Sequence, residues 1–318
     1  MARTGRAPAL DDDTPRTGAG VSGHATGARA LDALLSGLVD YAGLFPPAAL
    51  TMHDAVARYA RHASGPNRGM LGRFIVPVGR LGEFAVAAAT EARASWRLSV
   101  LADADDGGAI DRFNRDASSH GRWVIDTVES KASERTAIWR LATTFDTSFI
   151  VFVEVPVAED PSMLIAELAA RGLRAKIRTG GVTADAFPSP DHVLRFLAAC
   201  ARQGVAFKAT AGLHHPLRGE YPLTYDADSA RGPMHGFLNV FLAAALLYDG
   251  VDASELLPLL EERAAAAIEV DDAALRWRAH VLSIEEISRA RAAFAGSFGS
   301  CSLEEPVRDL AALHLLPP

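Results

Sequence analysis

The sequence predicts an α/β fold, a (β/α)8 barrel of the TIM type with a disordered N-terminal tail and a helical C-terminal extension. Short apolar, β-branched runs alternate with amphipathic helical stretches at intervals of about 25 to 30 residues, the period of a βα unit. The runs are apolar on both faces, as strands of a parallel sheet covered by helices must be. The length, 318 residues, suits one large barrel domain or two ordinary ones.

Taken in order, residues 1–27 are rich in Gly, Thr, Ala and Asp and nearly devoid of large apolar side chains, the composition of a disordered tail. Ala28 to Val39 has helical periodicity, and Leu38–Phe45 is the expected first strand, ending in the Pro46-Pro47 turn. Thr51 is placed to N-cap a helix over Met52–His62. Strands follow at Gly72–Val78, Trp96–Ala102, Arg122–Val128, Phe149–Pro156, Leu173–Arg178 and Val205–Thr210. The helices between them are Leu81–Ala94, Ala109–Ser118, Ser133–Thr144, Pro161–Arg171 and Pro190–Gln203. Leu217–Pro233, rich in Gly, Pro, Asp and Tyr, is expected as a loop over the active face, with Arg218, Tyr221 and Tyr225 as substrate contacts. Met234–Val240 is the candidate lead into an eighth strand, although His235 to Tyr248 also has the pattern of one buried helix. The barrel is thus expected over 28–252 and a helical extension packed on it over 253–318, with Ser297–Ser302 a small-residue turn.

The net charge of −7 argues against nucleic acid as partner, because phosphate-backbone binding needs a cationic surface. The longest apolar run, Phe237 to Tyr248, has 12 residues and contains Asn239, short of the roughly 20 a membrane span needs. Cys200 and Cys301 have no metal-type spacing, and Cys301 between small residues fits a structural turn. With no signal-like start, the expectation is a cytoplasmic protein without cofactor, acting on a small molecule and free to form a homo-oligomer.

Of 32 basic residues only three are lysine: Lys131, Lys176 and Lys208. Where arginine is the default cation, a lysine points to chemistry that arginine cannot do, since only lysine can become a neutral amine. Lys176 and Lys208 fall at the carboxyl ends of two successive strands, where α/β enzymes place their sites. Two neighbouring ammonium groups are expected to lower each other's pKa and leave one a nucleophile. Side-chain alternation puts Arg178 beside Lys176 and Thr210 beside Lys208, and Thr179-Gly180-Gly181 offers backbone N–H groups to an anion. Glu154, in an otherwise apolar strand end, requires a partner such as Lys176 or a metal. His214 is a candidate acid or substrate contact, and Asp40 faces the substrate if the first strand is correct.

The segments Lys176-Ile-Arg-Thr-Gly-Gly and Phe207-Lys208-Ala-Thr-Ala-Gly resemble the sixth and seventh strand ends of deoxyribose-phosphate aldolase and similar class I aldolases, over about 45 residues. The resemblance implies a lyase in which Lys176 forms a Schiff base with an oxo or phosphorylated substrate, Lys208 tunes it, and Asp126 relays protons. Arg178, the second glycine and His214-His215 depart from the aldolase pattern. Segments Asp40–Ala48 and Ser297–Ser302 resemble a bacterial family that brings no function with it. Two alternatives stay open: a metal-dependent isomerase or hydrolase with His214, His235 and Glu154 as ligands, and a non-catalytic barrel that binds a ligand or partner.

Overall fold

The computed structural model describes residues 29–91, 95–118 and 121–316; the tail expected over 1–27 lies outside them. The barrel strands begin with β1 (Val39–Tyr41), β2 (Leu71–Pro77), β3 (Trp96–Leu101), β4 (Trp123–Lys131), β5 (Ile150–Glu154), β6 (Arg174–Arg178) and β7 (Phe207–Thr210). A hairpin, β8 (Gly219–Pro222) and β9 (Arg231–Met234), and a three-stranded sheet, β10 (Ile268–Val270), β11 (Ala274–Trp277) and β12 (His280–Ser283), come next, and β13 (Ala295–Ser300) is last. Strands β1–β7 pair in parallel in sequence order, and β13 fits between β7 and β1 to close an eight-stranded parallel barrel. The helices are α1 (Arg29–Leu35), α2 (Met52–Ser64), α3 (Leu81–Ala88), α4 (Gly107–Ser118), α5 (Arg135–Thr144), α6 (Ser162–Ala170), α7 (Pro190–Gln203), α8 (Phe237–Tyr248), α9 (Leu257–Leu260), α10 (Ile284–Ala293) and α11 (Glu304–Ala312).

Local chemistry accounts for the boundaries. Thr51 accepts from the backbone N–H of Asp54 at 3.1 Å and starts α2. Ser189 caps α7 with Pro190 in its first turn, and Gly204 ends it at φ +62°, a left-handed position that costs glycine little. Ser283 and Glu286 form a capping box on α10. Helix α8 is buried around nearly its whole circumference, which is why its apolar pattern shows no single face.

The eighth strand corrects the sequence expectation. Met234–Val240 does not lead into it: β9 ends at Met234, and α8 starts at Phe237. The closing strand is β13, inside the region expected to be helical and across the segment expected to be a turn, so the barrel runs to Ser300. Its Gly-Ser-Phe-Gly-Ser run carries no β-branched side chain, and at its two glycines there is little room for any side chain. A Cβ on Gly296 would stand 2.6 Å from the carbonyl oxygen of Phe207, and one on Gly299 would crowd Ile75. The expected loop over the mouth is largely the β8–β9 hairpin. No helix among the described residues is long and apolar enough to cross a membrane.

A bulge in β4 decides what faces the barrel interior. Leu98 pairs with Ile125 but Ser99 pairs with Thr127, leaving Asp126 as an extra residue. Before the bulge Trp123 packs outward against Phe84 and Phe113. After it, the same odd-numbered positions turn inward, and Glu129 enters the barrel.

Candidate active site

Lys176 and Lys208 are direct neighbours in the β6–β7 register, as are Glu154 and Lys176 across β5–β6. Both lysines are fully buried, 1% and 0% exposed. Buried ammonium groups require close partners, and the barrel supplies them. Glu129 bridges the two lysines: one oxygen accepts from Lys208 Nζ at 2.6 Å, and the other lies 2.9 Å from Lys176 Nζ. Asp40 on β1 accepts from Lys208 at 2.6 Å, from the Ser297 hydroxyl at 2.6 Å and from the Arg73 backbone N–H at 2.7 Å. The Ser99 hydroxyl donates to Glu129 at 2.7 Å. Glu154 lies 3.3 Å from Lys176, accepts from Arg178 at 3.0 Å and stands 3.7 Å from Lys131. The Lys208 ammonium rests 5.6 Å over the Phe152 ring, which forms its apolar floor.

These partners reverse the expected effect on Lys208. Burial pulls its pKa down, but Asp40 and Glu129 outweigh burial and hold it above the ordinary lysine value, so Lys208 is a fixed cation. Glu129 shows the complementary effect: burial would raise its pKa, yet the two ammonium groups and the hydroxyl of Ser99 drive it far below the carboxylate range. Glu154 also sits below its usual value, with burial opposed by Lys176, Arg178 and Lys131. Its Oε2 atom is buried and receives no hydrogen bond, although Lys176 lies within ion-pair distance.

A cavity of about 390 Å³ opens at the carboxyl ends of the strands. Lys176 and Glu129 line it from buried positions and Lys131 and Arg178 from more exposed ones, with Thr210, the register neighbour of Arg178, and His214 and Cys301 completing the lining. Lys208 and Asp40 lie beneath, within the barrel. Asp40 therefore holds Lys208 from beneath and does not line the cavity, where it was expected to face a substrate. Gly72 makes room for that carboxylate, since a Cβ there would stand 2.3 Å from Asp40 Oδ1.

Other expected site residues separate in the same way. Asp126 is drawn away from the lysines by Arg73, 2.6 Å from its carboxylate, and by Arg97, so it is no proton relay for Lys176. Thr179 spends its hydroxyl on the carbonyls of Thr210 and Ala211 at 3.2 and 2.5 Å, tying β6 to β7 instead of presenting itself to a ligand. Gly180 leaves space for the Phe187 ring, 2.3 Å from where a Cβ would sit, whereas Gly181 lines the cavity. The metal set does not assemble: His214 pairs with Glu305 at 3.1 Å, while His235 engages the Pro188 carbonyl at 2.8 Å and Arg218 at 3.2 Å. Among the described residues no cluster of three or more His, Cys, Asp and Glu side chains is arranged to hold a metal ion. From the hairpin side, Tyr225 donates to Glu305 at 3.1 Å and touches Cys301 at 3.5 Å; Tyr221 instead stacks on His215, with ring centres 3.5 Å apart.

No family model matches the chain, and no curated protein matches it. Among solved structures, the chain is similar to nitroalkane oxidase from Streptomyces ansochromogenes, with 12% identity over 59% of this chain and a TM-score of 0.32. The match spans 62% of the oxidase chain.

Proposed function

We propose that this barrel is a carbonyl-processing lyase, aldolase-like, in which Lys176 forms a Schiff base with a small oxo substrate. The observation that carries this reading is the position of the Lys176 amine on the cavity floor between the Glu129 and Glu154 carboxylates. A buried lysine between carboxylates can pass a proton to one of them and attack a carbonyl carbon. Glu154 is the acceptor best placed, because its buried Oε2 already faces the ammonium without a hydrogen bond.

The ammonium and the carbonyl compound give an iminium and one water: the new bond is C=N, the carbonyl oxygen leaves as water, and the positive charge stays on nitrogen. The bond between the α- and β-carbons then breaks, its electron pair forming the enamine C=C as the C=N pair moves onto nitrogen. A carboxylate takes the proton from the hydroxyl of the departing fragment, which leaves as an aldehyde. The remaining enamine is protonated and hydrolysed, restoring Lys176. Lys208, held charged by Asp40 and Glu129, keeps Glu129 anionic and adds positive potential beneath the cavity.

The test is borohydride reduction in the presence of short aldehydes and ketones, read by intact mass. The expected result is one reduced adduct per chain in the natural protein and in the Asp126→Asn variant, and none in Lys176→Arg. A folded protein that takes no adduct across such a panel refutes the proposal.

A further inference from the structure

The ion-pair set around the lysines carries a charge imbalance with a position. Lys131, Lys176, Arg178 and Lys208 are linked through Asp40, Glu129 and Glu154: four cations to three carboxylates. The buried end is the best matched, with Lys208 held by Asp40 and Glu129 at 2.6 Å each. At the mouth, Glu154 is the carboxylate partner of both Lys131 and Arg178, and it shares Lys176 with Glu129. The excess of one positive charge therefore lies at the rim, where Arg178 and Lys131 remain 44% and 66% exposed.

The same two side chains also line a second, more open cavity of about 680 Å³, together with Glu154, Ser189, His192 and Asp185, whose carboxylate lines this outer groove and not the inner cavity. Lys131 and Arg178 thus stand at the junction of an inner cavity that holds Lys176 and an outer groove.

From this placement, and resting on the Schiff-base role of Lys176, we propose that the substrate is a short oxo acid whose carboxylate binds between Arg178 and Lys131 while its carbonyl reaches Lys176. Charge selects the acid group. One excess cation matches a carboxylate, whereas a phosphate monoester brings about −1.5 to −2 at neutral pH. Arginine suits the task because its planar fork can hold a carboxylate through two hydrogen bonds. Distance selects the length. Lys176 and Arg178 are alternate residues of β6, so their Cα atoms are about 6.6 Å apart, which leaves roughly two to four bonds between the carbonyl carbon and the carboxylate. The outer groove leaves room for the fragment released on C–C cleavage.

The probes are 4-oxopentanoate, 2-pentanone (the same carbon skeleton without the acid) and dihydroxyacetone phosphate. Trapping by borohydride and the shift in melting temperature are both measured, in the natural protein and in Arg178→Gln and Lys131→Gln. The expected result is that 4-oxopentanoate is trapped at least tenfold faster than 2-pentanone. That ratio should collapse towards one in Arg178→Gln and fall partly in Lys131→Gln. Equal trapping of acid and ketone overturns the carboxylate subsite and leaves the Schiff-base role intact. Preference for the phosphate overturns the choice of acid. Absence of any adduct, with a melting-temperature rise caused by 4-oxopentanoate that Arg178→Gln abolishes, supports the subsite and refutes the Schiff base. No adduct and no rise overturn both.

Discussion

Removing the charge of Glu129 is the sharpest perturbation of the buried network. In Glu129→Gln the shape is preserved, but Lys176 and Lys208 lose the carboxylate they share at 2.9 and 2.6 Å. Adjacent strands are about 4.8 Å apart, so the two ammonium groups then face each other at about 5 Å. At an effective dielectric constant near 20 that repulsion is about 3 kcal/mol, within the range of about 3–5 kcal/mol for breaking a buried ion pair from one side. The variant should therefore lose about 3 kcal/mol at pH 7, a fall in melting temperature of about 5–10 °C for a chain of this size. The deficit should also depend on pH. Loss of a proton from either lysine removes the repulsion, so the penalty applies at neutral pH and fades as pH rises into the lysine range. In the natural protein Lys208 has a raised pKa, so its contribution is fully present below 10.5 and is lost only above it. Urea unfolding at pH 7 and again near pH 9.5 checks both signs. A variant within about 0.5 kcal/mol of the parent at both values would refute the bridging role.

Acid should act through the same carboxylate from the other side: Glu129 has a depressed pKa, so its contribution is complete above the ordinary glutamate value of 4.5 and declines as pH falls below it, which acid titration of the melting temperature will reveal. Gly72→Ala drives a methyl group into Asp40 Oδ1 and should cost about 1–3 kcal/mol, while Gly69→Ala, with nothing within 4 Å, is the near-neutral control in the same thermal unfolding series. Tyr225→Phe removes the bond to Glu305 and the contact with Cys301; faster amide exchange across residues 219–234 with a nearly unchanged melting temperature is expected, and unaltered exchange would show that the contact does not hold the hairpin.

Much of this arrangement was legible in the sequence for identifiable reasons. Seven of the eight barrel strands carry apolar runs, and the cap at Thr51 starts its helix through side-chain chemistry that acts locally. The scarcity of lysine singled out Lys176 and Lys208, and the structure sets them side by side. Glu129 escaped because the expected strand stopped at Val128, one residue short of it; alternation counted from Trp123 and Ile125 would also put it on the helix-facing side, and only the bulge at Asp126 turns it inward. The same bulge residue, Asp126, sits where Arg73 and Arg97 claim it. Strand β13 was hidden because it is built of glycine and serine, residues that otherwise signal turns, although the close approach of β7 requires the glycine at Gly296. His214 and His235 gave a metal-like composition, but their partners, Glu305 for one and Pro188 with Arg218 for the other, come from segments whose proximity only the fold establishes.

In the proposed reaction the amine of Lys176, and not that of Lys208, is the nucleophile on the cavity floor. Peptide mapping of the borohydride-reduced adduct tests it most directly. The added mass should lie on the peptide containing Lys176 and persist there in Lys208→Arg protein that remains folded. An adduct on Lys208 or Lys131, or one that survives Lys176→Arg, would contradict the account.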